Sequence, residues 1–218
     1  MIRFNNSTIA VAAVVVMVPA LAGCGVNAIP TKEEAAKARW ADVQAQYQRR
    51  ADLIPNLVAT VQAAAIQERT TLTAVIEARA RATSIQVTPE TLNDPAAFAQ
   101  YQAAQGQLSQ ALSRLLLTVE AYPQLQSNQN FIALQSQLEG TENRIAVARR
   151  DYNGAVQDYN TTLRTFPTVL WANTIHGGSK PMQLFTATTE AQAAPTVSFN
   201  LDSAPQTATA PAPAAPAQ

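Results

Sequence analysis

Few residues in this 218-residue chain could do chemistry, and that scarcity bounds its function. There is one cysteine, Cys24, and one histidine, His176. A single Cys excludes an internal disulfide framework, and a structural Cys/His zinc site needs more ligands than these two. A di-iron or di-manganese bundle needs carboxylates plus two Glu-x-x-His pairs on facing helices. Carboxylates stand in helical stretches at Glu68, Glu77, Glu120, Glu139 and Glu142, but His176 comes after Pro167, past the last long predicted helix. Ser-His-Asp or Cys-His catalysis would have to recruit that same His176 from a Gly-rich loop. Carboxylate-only chemistry needs two acids in one cleft, which the spacing does not supply. No phosphate-cradling glycine loop precedes a helix. No catalytic residue, metal ligand or cofactor is therefore assigned. His176 reads as a solvated loop residue. Arg49-Arg50 reads as a solvated face or a helix C-terminal charge complement.

The balance of 15 basic and 15 acidic side chains argues against nucleic acid as a partner, because phosphate binding needs a basic surplus. Ala and Gln fill the space left by charged (14%) and aromatic (6%) residues, and both favour helix.

The cysteine has a different chemistry available. Arg3 is followed by an apolar run from Ile9 to Ala22, too short to cross a bilayer, which takes ~20 helical residues. Charge, run length and the small residues at its end fit a secretory signal. Leu21-Ala22-Gly23-Cys24 resembles the lipobox of bacterial lipoproteins. That resemblance implies cleavage before Cys24, diacylation of its thiol and acylation of its new amine. Residues 1–23 are then a signal peptide and 24–30 a linker behind the lipidated, palmitate-bearing Cys24. Gly25, in place of the Asp that commonly retains lipoproteins at the inner membrane, favours the outer one.

The elements behind the anchor are helical. Thr31 and Glu34 have capping-box spacing, and Ala36, Trp40, Val43 and Tyr47 line one face of a first helix over 31–50. Pro55 either breaks or kinks the chain beyond it, with Asp52 available as a cap. A second helix spans about 53–84, with a polar notch at Gln67-Glu68-Arg69. A third spans 95–121, with Phe98, Tyr101, Gln105, Leu108, Leu112, Leu115 and Val119 on its stripe. In the fourth, over 127–164, Phe131, Leu138, Ile145, Tyr152, Tyr159 and Phe166 stand seven apart. Mostly small residues (Leu134, Thr141, Ala148, Ala155, Thr162) fill the intervening seam, a heptad pattern of coiled-coil type. Glu142 and Arg149 edge this seam, either as rim ion pairs or as a partly buried network fixing register. Short connections favour antiparallel neighbours, so the expected fold is all-α: an elongated antiparallel four-helix bundle with a long final helix. Residues 171–200 lie along or beside it, with a short strand at Val197-Ser198-Phe199. The Ala/Pro-rich tail over 201–218 is expected to be disordered.

Four stretches resemble the LemA family of bacterial membrane-associated proteins. They are Arg49-Arg50-Ala51-Asp52-Leu53-Ile54-Pro55-Asn56-Leu57-Val58 with Trp40 upstream; Glu77-Ala78-Arg79; Glu120-Ala121-Tyr122-Pro123 with Asn130-Phe131; and Leu138 to Ile145 followed by Arg149, Tyr152-Asn153, Tyr159-Asn160 and Thr165-Phe166-Pro167. The resemblance implies a helical bundle held at a membrane outside the cytoplasm, with no established enzymatic activity. The chain departs from the family pattern in its lipobox, in Gln67 where a histidine is usual, and in Tyr47.

The resulting expectation is a lipid-anchored, non-enzymatic cell-envelope protein facing the periplasm. It would bind or scaffold another envelope protein through Asp52, Asn56, Glu120, Tyr122 and Asn130 near one end of the bundle. Self-association through the seam is a further possibility. The alternative is a hydrolase, or an accessory factor, of an envelope proteolysis system. An acid pair in a cleft would support it; exposure or salt-bridging of Glu120, Glu139 and Glu142 would count against it.

Overall fold

The structure, a computed structural model, describes residues 25–65 and 67–186. Cys24, the apolar run before it, Val197-Ser198-Phe199 and the Ala/Pro tail lie outside the described residues. Within them the chain is helical, with no strand: α1 (Ala28–Ala64), α2 (Arg69–Ser84), α3 (Pro95–Val119), a single turn α4 (Pro123–Gln126), α5 (Gln129–Thr162) and α6 (Thr168–Asn173). A 3₁₀ turn, Pro89–Thr91, lies between α2 and α3.

The first two expected helices are divided differently. Pro55 does not interrupt α1. A proline inside a helix withholds the N–H that would bond the carbonyl four residues back. Here that carbonyl, Ala51 O, accepts instead from Arg79 Nε of α2 at 2.7 Å. The break falls after Ala64, at the polar notch. Two capping assignments also change. Thr31 Oγ1 bonds back to Asn27 O, four residues earlier, inside the helix rather than at its cap. Asp52 lies mid-helix and accepts from Gln48 Nε2 at 2.7 Å. Asp94 and Asn128 do cap α3 and α5, each taking two backbone N–H groups on a side-chain oxygen.

Cross-helix contacts set the directions. Lys32 pairs with Asp158 and Arg50 with Glu142, so α1 and α5 run antiparallel. Arg79 meets Ala51 and Gln105 Nε2 meets Ala82 O, so α2 packs against both α1 and α3.

Two buried clusters fill the interior. One is aromatic: Trp40, Tyr47, Phe98, Tyr101, Tyr152, Tyr159 and Phe185 pack with Ile29, Val43 and Ile145. Trp40 stands at its centre, with ring centroids 5.4–6.0 Å from those of Phe98, Tyr101, Tyr152 and Phe185. Such pairs add about 0.5–1.5 kcal/mol each beyond their buried area. The other cluster is aliphatic, from Ile54, Leu57 and Val61 of α1 to Leu108, Leu112 and Leu115 of α3 and Leu138 of α5, closed by Phe131. The heptad residues of α5 are buried as expected from Phe131 to Tyr159. Phe166 is not: α5 ends at Thr162 and Phe166 is 75% exposed.

After α6 the chain returns along α5 in extended form. Asn160 brackets Met182, donating to its carbonyl and accepting its N–H, both at 2.9 Å. Asn153 brackets Phe185 in the same way, again at 2.9 Å both ways. Seven helical residues and three extended ones both advance about 10 Å, so the two brackets keep step. Tyr152 and Tyr159 hydroxyls donate to Gln183 O and Lys180 O between and beside them.

Candidate functional site

The two clusters are separated by a polar layer. Its centre is Arg50, 1% exposed, which is a core residue rather than half of a solvated pair. Arg49 alone is exposed. Arg50 Nη1 donates to Glu142 Oε1 and to Ser109 Oγ, each at 2.8 Å, and Nη2 donates to Gln105 Oε1. Gln105 passes the connection on, donating to Ala82 O of α2 at 3.2 Å. The guanidinium carbon lies 5.0 Å from the Tyr47 ring centre. All four long helices therefore meet at one level. Of the two readings open for Glu142, the buried network holds: its side chain is 44% exposed but its partner is not. Arg149 takes no part and sits over the Phe185 ring at 4.5 Å.

Two hollows flank the layer. One, of about 190 Å³, is bordered by Tyr47, Ala82, Tyr101 and Gln105 between α1, α2 and α3. The other, of about 460 Å³, is a groove between α3 and α5 with Leu112, Leu116 and Leu138 beside Glu139 and Glu142. Neither presents an acid–base pair poised for chemistry. Glu142 is engaged by Arg50, and Glu139 accepts from Gln135 one turn away. Among the described residues no three His, Cys, Asp or Glu side chains gather as a metal site. His176 is not a solvated loop residue: it is half-buried, with Nε2 3.0 Å from Val26 O.

The residues expected to bind a partner fall in two places. Glu120, Tyr122 and Asn130 stand around the connection from α3 to α5, at the end where α1 also stops. Glu120 and Asn130 are exposed and contribute only backbone atoms to hydrogen bonds. Tyr122 donates its hydroxyl to Glu68 Oε1 at 2.8 Å, and this bond to a carboxylate pushes its pKa above the ordinary phenol value. Asp52 and Asn56 do not join them. Because α1 continues through Pro55, Asp52 stands twelve residues short of Ala64, about 18 Å along the axis. Both are exposed on its outer face. Cys24 lies outside the described residues.

The sequence reading missed Arg50 and the two bracketing asparagines. A signal for Arg50 was present. Trp40, Val43, Tyr47, Arg50, Ile54 and Leu57 are spaced three and four apart, so Arg50 occupies the stripe of an uninterrupted helix.

The described residues thus make an all-helical protein with an aromatic core, a central arginine layer and an asparagine-bracketed return segment. The chain belongs to the LemA family, whose family model matches residues 39–199. It is also similar to the magnetosome protein MamQ 2 of Paramagnetospirillum magneticum, 39% identical over 64 residues, covering 29% of this chain and 24% of that protein. Magnetosome protein MamQ of Magnetospirillum gryphiswaldense is 33% identical over 76 residues, 35% of this chain and 28% of its own. The chain thus spans only about a quarter of the length of these curated relatives. No described helix is long and apolar enough to cross a membrane.

Proposed function

We propose that this protein is a lipid-anchored, non-enzymatic envelope component that holds or positions another envelope protein. In this reading its helices form one elongated antiparallel four-helix bundle on the periplasmic face of a membrane, the outer one favoured, held by acyl chains on Cys24. Membership of the LemA family supports the membrane setting. The observation that carries the binding role is the state of Glu120 and Asn130. Both belong to motifs of that family resemblance, yet neither side chain makes a hydrogen bond or ion pair among the described residues, and both face solvent at one end. Residues placed for folding are used by the fold, as Arg50, Arg79 and Asn153 are. Glu120 and Asn130 are left free for a partner, with Tyr122 fixed between them.

The test is photocrosslinking from positions 120 and 130 in intact cells, alongside Glu120→Ala and Asn130→Ala. Partner bands lost in the alanine variants at unchanged melting temperature support the role. A fall in melting temperature with no crosslinked partner makes these residues structural. The hydrolase reading is disfavoured by the engagement of Glu142 with Arg50 and of Glu139 with Gln135.

A further inference from the structure

Exposed apolar side chains concentrate where the chain enters the fold. Phe166, Leu170 and Ile175 are 75%, 54% and 62% exposed and lie within ten residues of one another. α6 and the turn after it hold the start of the described chain. His176 Nε2 is 3.0 Å from Val26 O, and a Cβ built on Gly25 would lie 3.3 Å from both Thr168 Cγ2 and Trp171 Nε1. Cys24 precedes Gly25 in the sequence. On the proposed lipid anchor, an acyl chain on Cys24 would start next to the residue that this collar holds. The surroundings suit an anionic lipid surface. Arg164 and Lys180 are exposed and form no ion pair among the described residues. Trp171 stands beneath the collar, and its buried indole N–H has no acceptor among the described residues. Apolar side chains backed by Trp and flanked by basic residues are the composition that settles at the headgroup level of a bilayer.

We propose that this end of the molecule, through Phe166, Leu170 and Ile175, seats directly in the interfacial layer of the membrane. The bundle would then stand on the bilayer instead of trailing from a flexible tether. Its far end, with Glu120 and Asn130, would project about 50 Å away along the 34 residues of α5. The orientation rests on the Cys24 anchor of the proposed function, so the experiment reads the two separately.

The full chain carrying Phe166→Trp is purified with its anchor and reconstituted into vesicles of phosphatidylglycerol and brominated phosphatidylcholine. Ile175→Trp is a second probe should the first not fold, and Leu117→Trp, 64% exposed at the far end, is the control. Bromine quenching is compared with that of the parent protein, whose Trp40 is sealed in the core and whose half-buried Trp171 sets the baseline at the collar, and the lipid mass on Cys24 is read on the same sample. Extra quenching at 166 or 175, but not at 117, supports the seating. With lipid on Cys24 and no extra quenching, the seating is overturned and the anchor stands. With no lipid but extra quenching at 166 or 175, the anchor falls and the seating stands. Equal quenching at 117 overturns the seating, because contact would not be specific to this end. A blue-shifted but unquenched indole also overturns it, since a protein surface or a second copy would then cover the collar.

Discussion

Arg79 of α2 donates its Nε–H to the carbonyl of Ala51 at 2.7 Å, replacing the donor that Pro55 cannot supply to its own helix. Ala51 is 3% exposed, so without that bond its oxygen would be buried and unsatisfied. Arg79→Ala should cost about 1–3 kcal/mol, the penalty for stranding a buried polar group. Pro55→Ala restores an N–H four residues after Ala51, so the same Arg79→Ala change should cost much less in that background. Urea denaturation of the two single variants and the double variant measures the coupling. Strict additivity would show that the arginine does not compensate for the proline.

The Arg50–Glu142 pair is asymmetric, and its variants should be too. Glu142→Ala leaves a charged guanidinium that is 1% exposed with only neutral partners. The loss should be about 2–3 kcal/mol, below the ~3–5 of a fully buried pair because water reaches the Glu142 side. Arg50→Met removes the buried charge and keeps the bulk, and Glu142 can turn to solvent. Arg50→Met should therefore be the milder change in denaturant midpoint. A greater loss for Arg50→Met than for Glu142→Ala would show that the layer itself stabilises the fold.

The same two contacts explain which parts of the fold could be read from sequence. The stripes of α3 and α5 were legible because their apolar period is unbroken by any strong signal, and their buried faces follow it. The continuity of α1 is not legible locally, because a proline leaves break and kink equally open until the distant Arg79 supplies the missing donor. With a helix ending before Pro55, Arg50 reads as a terminal residue and its burial is hidden. The site was less legible than the fold. Asp52 and Asn56 group with Glu120 only where a helix end falls beside Pro55, and α1 has none there. Asn153 and Asn160 repeat with the heptad of Tyr152 and Tyr159, but their role stays hidden because the segment they bracket has no regular pattern to match.

The two asparagine brackets should hold the return segment in place. Asn160→Ala removes both hydrogen bonds to Met182, and about 2 kcal/mol of local stability should go with them. Local opening of the segment should rise by more than tenfold, since 1.4 kcal/mol is a factor of ten. Gln183 N–H donates to Leu92 O and Phe185 N–H to Asn153 Oδ1, so hydrogen exchange of these two amides is the readout. Asn160→Asp keeps the acceptor for Met182 N–H and should fall between. Exchange rates equal to the parent's would mean that Met182 and Phe185 are held by apolar burial alone.

All five tyrosines titrate above the ordinary phenol value. Burial raises Tyr47, Tyr101, Tyr152 and Tyr159, and the hydrogen bond to Glu68 raises Tyr122. An unfolded phenol loses its proton near pH 10, so above that pH the unfolded state binds fewer protons than the folded one. The stabilisation is complete below about pH 10 and is lost as pH rises through the folded values. Alkaline unfolding and phenolate absorbance should therefore appear together, above pH ~10. Tyr152→Phe should lower stability at neutral pH, through the lost bond to Gln183 O, yet flatten the alkaline decline. Phenolate absorbance at the ordinary value, with helicity intact, would show these rings to be solvated.

Gly140 and Gly154 lie inside α5, where glycine costs about 1 kcal/mol relative to alanine. Whether either position needs glycine is a question of space. A Cβ built on either meets no heavy atom within 4 Å, and neither residue has a positive φ. Folding therefore gives no reason for either, and Gly140→Ala and Gly154→Ala should each raise stability by about 0.5–1 kcal/mol. The two sites lie 14 residues apart, about 21 Å along the axis, so their effects should add. Thermal melts of the single and double variants test this. If Gly140→Ala stabilises the purified protein but weakens crosslinking from position 120 or 130 in cells, the bare helix face near the α3–α5 groove serves a partner's close approach. Equal crosslinking would leave both glycines without a role in binding.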